Sequence, residues 1–342
     1  MSPGASSSYS ATAGLPFDDE ELESKLVWIW GSPRTGSTWL LEMLCYPFEA
    51  KRGAPLGFSW PEDWSGPIPA LPVDEFLISS HLVPHQGRVV DIFEAPYPAT
   101  LNGLFRRRAS YAFSEEFADV WRPEARRLTL VRLNAVAERA RQAGLDLPAG
   151  LPVMVIKEVN GSHAADVVMS LFPRSRMIFM LRDGRDVLDS LLDANSPDGW
   201  LTRTGLGKGG FDSDEERLEW VRDSCRNWAA RINVCARAYD AHDPALRRQV
   251  RYEDLLADTP GVLGELAGWL DLPNDERRIN AIVNRHSFSV VPERLRGSGR
   301  RRRAATPGRW REALTPEEKQ VAQEIMGSRL VELGYEGNSD AV

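Results

Sequence analysis

Gly31, Ser32, Pro33, Arg34, Thr35, Gly36, Ser37, Thr38 and Trp39 follow one another between two apolar runs, and their types and spacing suit the capture of an anion. Two glycines with four residues between them let the backbone fold back on itself. The N–H groups of the loop and of the helix that follows then converge on one point, where the helix dipole also favours negative charge. In a nucleoside-triphosphate loop the second glycine is followed by Lys, which reaches the β- and γ-phosphates, and by Ser or Thr, which binds Mg²⁺. Here Ser37 and Thr38 stand in those two places. The cation comes from inside the loop as Arg34, whose planar fork matches a pair of phosphate or sulfate oxygens. Taken alone, the loop also fits a decayed triphosphate site or an ordinary strand-to-helix turn.

A second segment of the same character is MLRDGRDVLDS, residues 180–190. Arg182 closes an apolar run and Ser190 follows eight residues later on a helical pattern. A bidentate guanidinium and a hydroxyl donor at a helix start are what a phosphate dianion needs. Taken alone, such an Arg/Asp-rich run would read as a solvated helix start laced with ion pairs.

The two segments together resemble those of the sulfotransferases that use 3′-phosphoadenosine 5′-phosphosulfate (PAPS). The donor loop of that family runs Pro, Lys or Arg, Ser or Thr, Gly, Thr or Ser, Thr, often Trp, and PRTGSTW at 33–39 fits each place. The resemblance implies that Arg34, Thr35, Gly36, Ser37 and Thr38 hold the 5′-phosphosulfate and that Trp39 stacks on adenine. It also implies that Arg182 and Ser190 hold the 3′-phosphate. RYEDLL resembles the segment whose Tyr lies by the base, implying that role for Tyr252, and NRHSF implies it for Phe288. RRRRAATPGRW resembles a C-terminal loop with Arg, Lys and Gly shortly before Gly-x-Trp. The Lys-Gly pair is missing here; Arg300, Arg301, Arg302 and Arg303 stand in its place as a lid over the 3′-phosphate, or as a plain basic patch. The likeness spans roughly residues 26–335 and is almost absent over 47–150.

Sulfuryl transfer needs donor and acceptor in line, charge compensation on the moving and leaving oxygens, and removal of the acceptor's proton. No metal is required. Arg34 and Lys157 are the candidate cations, Lys157 matching a family Lys that precedes the catalytic His by two residues. That His is absent, because Val159 occupies its position. Other branches take a base from a segment soon after the donor loop, and VDEFLISSHLVPH at 73–85 offers Glu75 and His81; His286 is a third choice. The reading is therefore a PAPS-dependent sulfotransferase acting on a hydroxyl or amine of a small organic acceptor. The alternatives are a P-loop kinase-like phosphotransferase and a nucleotide-binding module without catalysis.

These residues require strands that end at one edge of a sheet. LVWIW at 26–30, PVMVIK at 152–157 and RMIFMLR at 176–182 read as buried strands, each followed by a helical pattern, which predicts an α/β fold with a parallel sheet. Further along, RQVRYEDLL predicts a strand and 214–240 a long helix. A helix capped by Thr259 is expected next, and then a last helix opened by a Thr315/Glu318 capping box. Residues 1–24 read as a disordered Ser/Gly/Ala-rich tail and 25–342 as one P-loop-like nucleotide-binding domain. Within it, 47–150 is an irregular, aromatic-rich insertion serving as acceptor pocket or lid.

Composition narrows the class further. The 342 residues are 42% hydrophobic and 27% charged, with net charge −7, which does not advertise nucleic-acid binding and leaves anion capture to a local site. No apolar run is long enough for a bilayer. Cys45, Cys225 and Cys235 show no metal-ligand spacing, so neither zinc nor a disulfide framework is expected, and a reducing cytoplasm is the simplest home. A nucleotide donor and a small-molecule acceptor are the expected partners; self-association stays open.

Overall fold

The computed structural model describes residues 19–50, 58–59, 67–74, 118–148, 150–300, 303 and 305–335. In chain order the elements are α1 (Asp19–Ser24), β1 (Leu26–Gly31), α2 (Ser37–Leu44), β2 (Glu49–Ala50), β3 (Phe58–Ser59), β4 (Ala70–Asp74), α3 (Ala118–Gln142), β5 (Val153–Lys157), α4 (Ala165–Leu171), β6 (Arg176–Leu181) and α5 (Gly184–Asn195). They continue with α6 (Trp200–Arg203), α7 (Asp214–Ala241), β7 (Arg247–Arg251), α8 (Tyr252–Ala257), α9 (Thr259–Trp269), α10 (Glu276–His286), α11 (Trp310–Ala313) and α12 (Pro316–Glu332).

Five strands form one sheet in the order β4-β5-β1-β6-β7, and every neighbouring pair is parallel. β1 and β5 are buried along their whole length, which is why their sequences are unbroken apolar runs rather than alternations. Trp28 and Trp30 stack at 5.8 Å between centroids on one face, and Phe172 stacks on Trp28 at 5.6 Å. With three such rings fully buried, this face carries a large share of the apolar area removed from water. Because all strands run the same way, Gly31, Asp74, Lys157, Leu181 and Arg251 end at one edge, the edge where α/β sheets bind ligands. β1 and β6 are neighbours, with Gly31 opposite Met180, so the two anion-binding segments leave the sheet side by side.

The expected strands over 26–30, 152–157 and 176–182 and the long helix over 214–240 are present, as is the Thr315/Glu318 capping box. Several expectations need correction. Order begins before Lys25, because α1 forms and buries Leu22 completely. The stretch 47–150 is not irregular throughout: it supplies the edge strand β4 and the 25-residue helix α3. Pro72 is tolerated in β4 because that strand lies at the sheet edge. The helix α9 is capped by Asp258, whose carboxylate accepts the Gly261 N–H at 3.0 Å, rather than by Thr259. The strand expected over RQVRYEDLL ends at Arg251, and Tyr252 opens α8.

Candidate functional site

The anion loop is braced from within. Thr35 Oγ1 donates to the Ser32 carbonyl at 2.9 Å, and Ser162 Oγ, from the turn after β5, donates to the Gly31 carbonyl at 2.5 Å. Gly36 caps α2 at φ +83°, a left-handed conformation that L side chains rarely adopt, and a Cβ there would stand 2.7 Å from the Tyr252 ring. Both conditions require glycine. Arg34 also takes a positive φ, 73°.

The loop is tied to the second segment at two points. Arg34 Nε donates to Ser190 Oγ at 2.9 Å, and Arg182 Nη1 donates to the Arg34 carbonyl at 2.9 Å. The Arg34 guanidinium also lies 5.5 Å from the Trp200 ring centre, and that of Arg182 lies 4.5 Å from the ring centre of Tyr252. Tyr252 is buried, which pushes its phenol pKa up against the lowering effect of Arg182, so it stays neutral at physiological pH.

A cavity of about 550 Å³ gathers these groups. Its walls include Arg34, Gly36, Ser37, Thr38 and Trp39 from the loop, Arg182 and Ser190 from the second segment, then Tyr252, Phe288 and Arg303. Trp39 meets Tyr252 edge-on at 6.4 Å and donates from Nε1 to the His286 carbonyl at 3.0 Å. Thr35 is fully buried beneath the loop and is not part of the cavity wall. Lys157 is not part of the wall either: it is 4% exposed at the end of β5, opposite Ile29 and Asp74 in the ladders. Glu75, His81, Arg301 and Arg302 lie outside the described residues, as do the aromatic residues of the insertion from Trp60 to Phe117.

The rest of the 182–186 segment builds the support. Asp183 caps α5 and takes the Arg185 guanidinium at 2.7 Å, and Arg185, 2% exposed, lies 4.0 Å from the Trp310 ring centre. Asp186 accepts the Gly308 and Trp310 N–H groups at 2.7 and 3.2 Å. Burial raises the Asp186 pKa, while those two donors pull it back down.

The cavity also holds residues the sequence reading gave no place in the site. Glu42 lies one helical turn beyond Trp39 on α2, a spacing from which it could have been inferred. Its carboxylate is 3.9 Å from His286 Nδ1. Arg203, Arg309 and Asp189 also line the wall. Nothing in the local sequence around Arg203 announces this. Among the described residues, no group of His, Cys, Asp and Glu is arranged to hold a metal ion, and no helix is long and apolar enough to cross a membrane.

A parallel α/β sheet with a glycine-bounded, arginine-bearing loop at its carboxyl edge defines a P-loop-like fold with an anion-binding site. The sulfotransferase family model matches residues 27–276, and the chain belongs to that family: it is a sulfotransferase, an enzyme that transfers a sulfuryl group. Comparison with curated proteins gives no match. Among solved structures, the chain is similar to sulfotransferase STF9 from Mycobacterium avium, with 16% identity, 92% of this chain and 78% of that one covered, and a TM-score of 0.45. It is similar to mouse sulfotransferase SULT7A1 complexed with PAP at 12% identity, with 92% of each chain covered and a TM-score of 0.49. A sulfotransferase from Alicyclobacillus acidocaldarius gives 13% identity, coverage of 91% and 96%, and a TM-score of 0.43. Family membership rests on the match over 27–276 and not on these superpositions.

Proposed function

We propose that this sulfotransferase moves the sulfuryl group of PAPS to a hydroxyl, or an amine, of a small organic acceptor. The chain from α1 onward acts as one domain, to which the stretch 47–150 contributes the acceptor pocket and lid. The observation that carries the reading is the hydrogen-bonded link from Ser190 through Arg34 to Arg182 within one cavity. It joins the loop suited to a 5′-phosphosulfate to the pair suited to a 3′-phosphate. Arg182 Nε is buried and has no hydrogen-bond partner among the described residues, a donor that a phosphate oxygen would satisfy.

In this reading the N–H groups around Gly36 and the Ser37 and Thr38 hydroxyls hold the 5′ end, and Arg34 adds positive charge there. Arg182 and Ser190, with Arg303, take the 3′-phosphate. Trp39, Tyr252 and Phe288 supply aromatic surface for the purine. Lys157 neutralises charge from beneath the loop, through its place on β5 beside β1. Proton removal from the acceptor falls to Glu75 or His81. β4 supports this assignment, since Asp74 stands opposite Lys157 and the chain leaves the sheet there at the same edge as the donor loop. His286 is the next candidate. The three buried, reduced cysteines are compatible with a cytoplasmic enzyme.

The direct test incubates the protein with PAPS and candidate acceptors and follows the sulfonate mass gain by mass spectrometry. Product that depends on PAPS supports the reading. Phosphate transfer from ATP·Mg²⁺ under the same conditions would replace it with the kinase alternative.

A further inference from the structure

One face of α5 carries three carboxylates, Asp186, Asp189 and Asp193, spaced three and four residues apart, and all three turn to the same partner. That partner is the stretch from Ser298 to Trp310. Asp193 accepts Ser298 Oγ at 2.5 Å and the Gly299 N–H at 2.9 Å, and lies 3.3 Å from Arg303 Nε. Asp189 accepts Arg303 Nη1 at 2.7 Å and stands 3.7 Å from Arg309 Nε. Asp186 takes the Gly308 and Trp310 N–H groups. On the other side of the stretch, Arg203 Nη2 donates to the Gly299 carbonyl at 2.5 Å, and Arg303's own carbonyl accepts the Gly297 N–H at 3.0 Å.

We infer that Asp189 and Asp193 are positioning residues for the donor, holding Arg303 and Arg309 in the cavity wall as a preset guanidinium pair for the 3′-phosphate. The inference rests on the PAPS reading above and extends it to groups that touch no substrate themselves. Arg309 directly precedes the short helix α11, and long arginine side chains such as those of Arg303 and Arg309 lose much rotamer freedom on binding unless something fixes them beforehand. Asp189 is 6% exposed and directly precedes Ser190, so it fixes them beside the hydroxyl of the 3′-phosphate pair.

The charges decide whether such carboxylates help or hinder. Arg34, Arg182, Arg303 and Arg309 outnumber Asp189 and Asp193 around this end of the cavity, so the cluster stays attractive to a dianion. Each guanidinium has five N–H donors, and an ion pair with one carboxylate leaves others for a phosphate. Removing Asp189 spares one repulsion but releases two cations, Arg303 and Arg309, from their orientation, and removing Asp193 releases Arg303.

The test is titration calorimetry on the full chain with 3′-phosphoadenosine 5′-phosphate (PAP) and with AMP, which lacks the 3′-phosphate. A wild-type preference for PAP over AMP checks the donor reading itself; its absence would sink that reading independently of the variants. Given the preference, Asp189→Asn and Asp193→Asn should each weaken PAP about tenfold, the scale of one charge-assisted hydrogen bond, and AMP less than twofold. Asp189→Glu should recover part of the loss, and Asp189→Asn should add little in an Arg303→Met background, because the two act as one unit. Tighter PAP binding in Asp189→Asn, or equal losses for both nucleotides, would overturn the assignment. Should Asp189→Asn fail to fold, Arg309→Met serves in its place: a PAP-selective loss is expected, and unchanged PAP affinity overturns the proposal.

Discussion

Arg182 donates from Nη1 to the carbonyl of Arg34 at 2.9 Å, across 148 positions of sequence. The contact exists because β1 and β6 are adjacent and parallel, so the loops that leave them start side by side. It ties the group proposed to read the 3′-phosphate to the backbone of the loop proposed to hold the 5′ end. Arg182→Ala should therefore weaken PAPS by about 1.5–3 kcal/mol, the value of a hydrogen bond to a charged group. Adenosine 5′-phosphosulfate, which has no 3′-phosphate, should lose much less. Equal losses for the two ligands, measured by competition binding, would make Arg182 a brace of the loop only.

Gly36 combines φ +83° with the Tyr252 ring 2.7 Å from where a Cβ would stand. Gly36→Ala should cost about 1–3 kcal/mol through backbone strain and displacement of that ring. The loss should appear in both the denaturation midpoint and donor affinity, since Tyr252 lines the cavity. An unchanged midpoint with unchanged affinity would show that the loop relaxes freely.

Much of the fold was legible because strands buried on both faces leave unbroken apolar runs, as at 26–30 and 176–182. α3 was readable in principle: Trp121, Ala125, Thr129, Leu133, Ala137 and Ala140 recur every three to four residues and are all buried. Pro123 inside the helix and the small size of its alanines hid the pattern. The donor loop and Arg182 with Ser190 stood out because their chemistry is local. His286 and Trp39 meet 247 positions apart, and the Asp189–Arg303 pair spans 114, so no sequence window holds either contact. Lys157, which the motif match names, ends β5 buried beside β1 and off the cavity wall, a depth that no local sequence pattern records.

If Glu75 or His81 takes the acceptor's proton, Glu75→Gln or His81→Asn should lower kcat by about 10² to 10⁴, the usual share of general acid–base catalysis. Donor affinity should stay near that of the wild type. Steady-state rates for both variants with a working acceptor check this. Normal turnover in both would shift the assignment to His286, whose ring lies 3.9 Å from Glu42 in the cavity.

His163 offers a test of stability that is separate from catalysis. Burial first, then the positive charge of Arg231, lowers its pKa from 6.5 to about 4. The unfolded chain therefore binds a proton between pH 6.5 and 4 that the folded chain refuses, and the contribution of His163 to stability falls as pH drops through that window. The full effect is on the order of 3 kcal/mol. Asp186 and Glu253, both raised by burial, act in the opposite sense. The comparison that isolates the imidazole is urea unfolding of His163→Gln against wild type at pH 7 and pH 4.5. The variant should show the shallower loss, and parallel curves would mean that His163 is protonated in the folded state.

The cavity is proposed to recognise an adenosine nucleotide through its 3′-phosphate. Titration calorimetry of the full chain with PAP and with ATP·Mg²⁺ tests this most directly. PAP should bind at least about tenfold tighter, since Arg182 and Ser190 have no 3′-phosphate to meet in ATP and no lysine follows Gly36 to meet its β- and γ-phosphates. Tighter binding of ATP·Mg²⁺ would contradict it.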